Sequence, residues 1–282
     1  MSEHQSIVVL GGSGKTGRRV AERLKGGSHA VRAVSRGSAQ PFDWNNRETW
    51  LPVVEGSSAV YITYQPDLAV PGAPDDIRAL AELAVAEGVQ RLVLLSGRGE
   101  EEAERCEQII QQSGAEWTIV RASWFNQNFS ESFLLESIMA GEVTLPLGNA
   151  PEPFIDANDI ADVVVAALTE NGHSGQIYDV TGPRLLTFPQ AIAEIAASAG
   201  RTIHYTQVTP EEYAAGLRAA GIPEDYISLV DYLFAIVTDG RNAHLGDGVQ
   251  RALGRDPRDF SDYVRNAVQS GVWHVPQTTS IG

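Results

Sequence analysis

Cysteine occurs once in this chain, at Cys106. An internal disulfide and a cysteine-ligated zinc site are therefore both excluded. Lysine is almost as scarce, confined to Lys15 and Lys25, and no Tyr-x-x-x-Lys pair stands anywhere in the sequence. The proton-donating pair of ordinary short-chain reductases is thus missing. No apolar run approaches the thickness of a bilayer, and Met1-Ser2-Glu3-His4-Gln5 lacks the basic and apolar regions of a secretion signal. The expectation is a cytoplasmic protein with no membrane partner. Positive charge is in deficit as well: 21 Lys and Arg against 36 Asp and Glu give a net charge of −15, which opposes nucleic acid as a partner. A P-loop is absent too. Gly14-Lys15-Thr16 has the ending of one, but the glycine that motif requires earlier is Val9 here.

What the chain does contain is concentrated near its start. Ile7-Val8-Val9-Leu10 reads as a buried parallel strand, and Gly11-Gly12-Ser13-Gly14-Lys15-Thr16-Gly17 follows it. Gly12-x-Gly14-x-x-Gly17 matches the dinucleotide fingerprint, and Gly11-x-x-Gly14-x-x-Gly17 its wider-spaced variant. Glycine lets the backbone approach a pyrophosphate, and the helix start beyond it offers unpaired N–H groups and a positive dipole end. The seven basic residues within positions 1–36 face only Glu3 and Glu22, which suits a polyanionic cofactor.

The second strand, Ala30–Ser35, ends at Ser35-Arg36, where an NAD-binding protein places an acid for the ribose 2′-hydroxyl. No acid appears until Asp43. Arg36 suits a 2′-phosphate, so NADP(H) is the expected cofactor, and Asp43 and Trp44 are the candidates for the adenine. Further strands are expected at Ala59–Thr63, Arg91–Leu95, Trp117–Arg121 and Gln176–Val180. Helices are expected at Arg47–Val54, Asp75–Glu87, Glu100–Gln112 and Ile160–Leu168, with an amphipathic segment from Trp124 to about Ala140. Strand and helix alternate, so the expected fold is α/β, a Rossmann-type doubly wound parallel sheet. Ligands of such sheets bind at the carboxyl ends of strands, which brings Tyr64-Gln65, Ser96-Gly97 and Arg121-Ala122-Ser123-Trp124 into the same expected crevice as Gly11–Gly17 and Ser35-Arg36. Glu100, Glu101, Glu102, Glu104, Arg105 and Glu107, on the helix after Ser96, read as a solvated face.

From Leu185 onward the pattern is mostly helical, with helices expected at Phe188–Ala199, Pro210–Ala220, Glu224–Thr238 and Asp259–Ser270 and one strand at Ile203–Val208. The expected division is an NADP-binding domain over 1–170, with 123–153 serving the substrate side, and a smaller, mostly helical substrate-binding region over 171–282. Ser96 and Tyr64 are the candidates to orient nicotinamide or substrate. Trp124 and Phe125 would wall a small-molecule pocket that Tyr232 and Phe234 cover.

Several segments together resemble a known family. They are Gly11-x-x-Gly14-x-x-Gly17, Leu94-Leu95-Ser96, Glu107 with Ser113-Gly114, Trp117-Thr118-Ile119-Val120-Arg121, Trp124-Phe125-x-x-Asn128-Phe129 and Asp156-x-x-Asp159-Ile160-Ala161. The chain resembles the NmrA-like, atypical short-chain dehydrogenases/reductases, and within them the ergot-alkaloid-type reductases. The resemblance implies NADP(H) binding and hydride delivery to an imine, iminium or conjugated system. Some of those relatives keep a lysine on the helix after the Ser96 strand; its place falls near Ala103, so a lysine-assisted mechanism is not expected. The family's other habit, sensing NADP(H) without turnover, is the alternative.

Overall fold

The computed structural model describes residues 6–27, 29–237 and 239–274. In chain order the first elements are β1 (Ser6–Leu10), α1 (Lys15–Gly26), β2 (Val31–Val34), α2 (Leu51–Val54), β3 (Ser57–Ile62), α3 (Ala73–Ala86) and β4 (Arg91–Gly97). There follow α4 (Glu101–Gln111), β5 (Glu116–Ala122), α5 (Leu134–Ala140), β6 (Glu142–Leu145), α6 (Ala157–Thr169) and β7 (Gln176–Val180). The chain closes with α7 (Phe188–Ala199), β8 (His204–Gln207), α8 (Pro210–Ala219), α9 (Glu224–Val237), α10 (Gly248–Leu253) and α11 (Phe260–Ser270). Short 3-10 turns stand at Arg47–Thr49 and Asn126–Phe129. Among the described residues no helix is long and apolar enough to cross a membrane.

The chain divides into two compact units. The first holds the described residues of Met1–Ser123, Ala157–Thr181 and Gly246–Pro257. Its six strands lie in the order β2-β1-β3-β4-β5-β7, and every neighbouring pair is parallel. Successive residues of a strand point to opposite faces. Both faces are covered, so Val8, Val9, Val60, Tyr61, Leu92 and Val93 are all fully buried, whichever way they point. On one face Leu10, Ile62 and Leu94 pack with Ile77 and Leu80 of α3 and with Cys106 and Ile110 of α4. Helix α1 packs against α6, whose Val163 and Val164 are also buried. The strand order reverses between β1 and β3, which makes the carboxyl ends of those two strands the expected ligand crevice.

The second unit holds Trp124–Asp156 and the described residues of Gly182–Leu245 and Arg258–Gly282. Its core is aromatic: Phe129, Phe154, Phe188 and Phe260 meet one another at centroid separations from 5.0 to 6.0 Å. The Trp273 indole N–H donates to the Phe129 carbonyl at 3.0 Å and locks the last described turn onto that cluster. Strands β6 and β8 form a small parallel pair.

The division is not a single cut after residue 170. The chain leaves the first unit after Ser123 and returns at Ala157, because β7 adds to β5 and α6 is the crossover helix between them. Two elements were not anticipated. β6 is a four-residue run whose exposure alternates, too short to stand out from its surroundings. Helix α10, six residues long, starts on a glycine and has no side-chain cap. The expected helix over Arg47–Val54 is broken into a 3-10 turn and a short α2, because Pro52 cannot donate within a continuous helix. The expected helix end at Thr238 lies outside the described residues.

Candidate active site

β1 ends at Leu10 and the chain turns through Gly11–Gly14 into α1. Gly11 has a φ of +67°, and a Cβ there would stand 2.4 Å from Thr63 Oγ1, which itself donates to the Leu10 carbonyl at 3.1 Å. A Cβ on Gly17 would lie 2.2 Å from the Gly11 carbonyl oxygen. The first turn of α1 is therefore pressed against the glycine turn, backbone on backbone. The turn is tied down by Gly14 N–H donating to Gly11 O and Gly12 N–H donating to Val34 O, each at 2.8 Å. No side chain caps α1 and no acid stands in its first turn. That leaves a positive helix end suited to an anion. Gly17→Ala should weaken dinucleotide binding at least tenfold and lower stability by about 1–3 kcal/mol, since only backbone can yield there. Titration calorimetry and a thermal melt read both.

Gly11, Ser13 and Gly14 line a cavity of about 700 Å³, within the roughly 300–1,000 Å³ of small-molecule and cofactor sites. Its other walls come from the ends of β2 and β3: Ser35, Arg36 and Gly37, then Phe42 to Asn45, then Thr63, Gln65 and Pro66. Arg36 is exposed at this wall and, among the described residues, makes no ion pair. The Ser35 backbone N–H donates to Ser38 Oγ at 2.8 Å, and its carbonyl accepts from Phe42 N–H at 3.2 Å, which fixes the loop that carries Arg36. Asp43 accepts from Asn45 N–H at 3.0 Å in a tight turn. Trp44 donates its indole N–H to the Thr63 carbonyl at 3.1 Å and packs among Phe42, Trp50 and Tyr64, with 9% of its surface exposed. An uncapped helix end, a cradle without room for Cβ atoms and an open guanidinium together fit a dinucleotide bearing phosphates.

The remaining sequence candidates sit elsewhere. Thr16 is buried and accepts a hydrogen bond from the Tyr61 phenol at 3.0 Å, so its hydroxyl serves the packing of α1 on the sheet. Gly12, Lys15 and Gly17 belong to the turn and the start of α1 without lining the cavity. Tyr64, Ser96 and Gly97 do not line it either. Tyr64 donates its phenol proton to Asp76 Oδ2 at 2.8 Å, and burial, followed by that carboxylate, pushes its pKa up. Ser96 is buried and donates to Glu107 Oε1 at 2.6 Å. Both hydroxyls therefore have an oxygen free to accept, while their protons are committed to carboxylates.

The acidic run after Ser96 is not a uniformly solvated face. Glu107 is 1% exposed and is gripped by Ser96 and by the Arg121 guanidinium, whose Nε donates at 2.9 Å while its second arm also reaches the carboxylate. Glu100 is 7% exposed. Helical spacing gives the reason: Ala103, Cys106, Glu107 and Ile110 lie on the buried stripe of α4, and Glu107 is tolerated there because Arg121 on β5 neutralises it.

In the second unit Trp124 stacks on Phe234 with centroids 5.5 Å apart and meets Phe188 edge-on at the same distance. Phe125 is half-buried and bridges to Ile155, and Tyr232 is half-buried on α9. Of the pair Tyr64-Gln65 that the strand-end rule nominates, Gln65 lines the cavity; sequence reasoning missed Thr63 and Pro66 as cavity walls, because that rule cannot say which neighbours point inward. It also missed Asn126, fully buried, with neither amide atom paired among the described residues. Its place beside Trp124-Phe125 was the only signal.

Residues 11–171 match the model of a family described as NAD(P)H-binding. The chain is 32% identical to agroclavine dehydrogenase of Claviceps fusiformis, over 95% of this chain and 98% of that one. It is 29% identical to an NAD(P)H azoreductase of Xenophilus azovorans, over 92% and 96%. The fold is similar to that of Citrobacter sp. triphenylmethane reductase complexed with NADP(H), with a TM-score of 0.77 at 18% identity, covering 93% of this chain and 99% of the other.

Proposed function

We propose, from the premise that this chain is an oxidoreductase belonging to the NAD(P)H-binding family, that it uses NADPH in preference to NADH and reduces a small organic acceptor. The acceptor class is an imine or iminium, or a conjugated C=C or C=O system. The observation that carries the cofactor preference is Arg36, exposed on the cavity wall at the end of β2 where an acid would select NADH. The names of the similar proteins, an azoreductase, a clavine dehydrogenase and a dye reductase, support an electron-poor acceptor.

The bound dinucleotide would supply the hydride, and the chain's own residues bind and orient. The glycine turn and the open end of α1 take the pyrophosphate; Arg36 takes the 2′-phosphate; Asp43 and Trp44 border the adenine. A cationic or strongly polarised acceptor takes hydride without needing a proton in the same step, which accommodates a sequence with no Tyr-x-x-x-Lys pair. Ser96 and Tyr64, with their protons spent on Glu107 and Asp76, orient by accepting hydrogen bonds. Trp124, Phe125, Tyr232 and Phe234 provide the aromatic surface for the acceptor. The test is oxidation of NADPH by a panel of iminium dyes, imines, quinones and enones. Turnover with at least one class is expected. Tight NADPH binding with no turnover across the panel would replace this reading with that of a nucleotide sensor.

A further inference from the structure

Trp44 brings the largest side chain to the cavity wall, yet it lies outside strand and helix, on the stretch between β2 and α2. A ring on such a stretch keeps one position only where its neighbours fix it. Its indole N–H on the Thr63 carbonyl fixes one edge. Two further rings touch it: Trp50 edge-on at 5.4 Å, and Tyr64 at 4.6 Å, tilted by 48°. Trp50 is itself held, its N–H donating to the Asp43 carbonyl at 2.8 Å. The Arg47 guanidinium lies over the Trp50 ring, 5.3 Å from the centroid.

Both supports end on one carboxylate. Asp76 Oδ1 accepts from Arg47 Nη2 at 2.7 Å, and Oδ2 accepts from the Tyr64 phenol at 2.8 Å. The contacts close a ring: Asp76, Tyr64, Trp44, Trp50, Arg47 and back to Asp76. The start of α3 places the carboxylate. Gly72, with a φ of +92°, turns the chain into the helix, Pro74 follows, and Asp76 completes the first turn. An acid there suits the positive end of a helix. Both of its oxygens nevertheless reach across to the stretches that follow β2 and β3. Burial, followed by the Asp76 carboxylate, raises the Tyr64 pKa, so the phenol keeps the proton it donates. Arg47 is 57% exposed, and an isolated surface ion pair of that kind contributes little. Asp76 itself does not line the cavity, so any effect on a ligand passes through Trp44.

We infer that Asp76 is a positioning residue for the adenosine half of the dinucleotide. It holds Trp44 on the cavity wall through Tyr64 on one arm and through Arg47 and Trp50 on the other. The link to the nucleotide rests on the cofactor reading above; the hold on Trp44 does not. The role differs from that of Arg36, which meets the 2′-phosphate directly, so the two residues leave different signatures.

Asp76→Ala should raise the dissociation constants of NADPH, NADH and adenosine 2′,5′-bisphosphate alike, each about tenfold by titration calorimetry, because all three carry the adenosine half. Asp76→Asn still offers an amide oxygen and should bind NADPH within about threefold of wild type. Arg47→Met opens the same ring of contacts, so the double variant should bind no more weakly than Asp76→Ala alone. If Asp76→Ala does not fold, Arg47→Met, at an exposed side chain, carries the test with a weakening of about threefold. In the ligand-free protein, acrylamide should quench tryptophan emission more steeply in Asp76→Ala than in wild type. A Trp44→Phe background should abolish that difference, which assigns it to Trp44 among the five tryptophans. Affinities within about twofold of wild type, or a loss for NADPH that adenosine 2′,5′-bisphosphate does not share, would overturn the assignment. If wild-type protein binds none of the three nucleotides, the cofactor reading fails instead, and the quenching difference still decides whether Asp76 holds Trp44.

Discussion

Arg36→Ala is expected to raise the NADPH dissociation constant about 10- to 100-fold while changing that of NADH less than about twofold. The reasoning begins with position. Arg36 follows β2 by two residues, and its loop is pinned by the Ser35 and Phe42 backbone bonds. The guanidinium is exposed on the cavity wall with no ion pair among the described residues, so it is available to a ligand at no cost to an existing contact. A fork of N–H donors on a phosphate gives a charge-assisted bidentate bond, whose loss corresponds to about 1.5–3 kcal/mol. NADH offers no phosphate there, so it loses nothing. A selectivity unchanged by the substitution would remove Arg36 from the cofactor site. Arg36→Lys should fall between the two, because an ammonium keeps the charge and loses the fork.

Glu107→Ala is expected to lower unfolding stability by about 3 kcal/mol, measured by denaturant titration. Ser96 and Arg121 both donate to this carboxylate, which is all but inaccessible to water. Its removal leaves a buried hydroxyl and a half-buried guanidinium without their acceptor at the carboxyl ends of β4 and β5. Glu107→Gln should cost less, because the amide oxygen still accepts from Ser96. A loss below about 0.5 kcal/mol for the alanine variant would mean that Arg121 and Ser96 find other partners. The same carboxylate bears on the role proposed for Ser96: while Glu107 holds the Ser96 proton, that hydroxyl can accept a hydrogen bond from a ligand but not donate one.

The first unit was legible because parallel strands buried on both faces leave unbroken Val/Ile/Leu runs. Ile7–Leu10 and Arg91–Leu95 fall within β1 and β4, and the Rossmann-type doubly wound sheet read from them is the fold observed. The resemblance to NmrA-like and ergot-alkaloid-type reductases agrees with the family match and with the likeness to agroclavine dehydrogenase. The glycine turn was legible because backbone approach dictates residue type: at Gly17 nothing but hydrogen fits beside the Gly11 carbonyl. Side-chain commitments were not. Charge alone could not say that Glu107 points at Arg121 across fourteen residues, or that the buried Glu100 carboxyl folds back over Gly97. Thr16 is a cofactor candidate only by its place in the glycine motif, and the sequence could not show that its hydroxyl accepts from Tyr61 on β3. The return of the chain through α6 and β7 escaped a linear reading for the same reason: strand order is a property of pairing, not of sequence distance.

The claim beneath all of this is that the cleft between the ends of β1, β2 and β3 takes a pyridine dinucleotide with a 2′-phosphate. Isothermal titration of the intact protein with NADPH and, separately, with NADH tests it most directly. The account predicts a saturable heat at one NADPH per chain, with NADH binding at least tenfold more weakly. No heat with either nucleotide, or equal affinity for both, would contradict it.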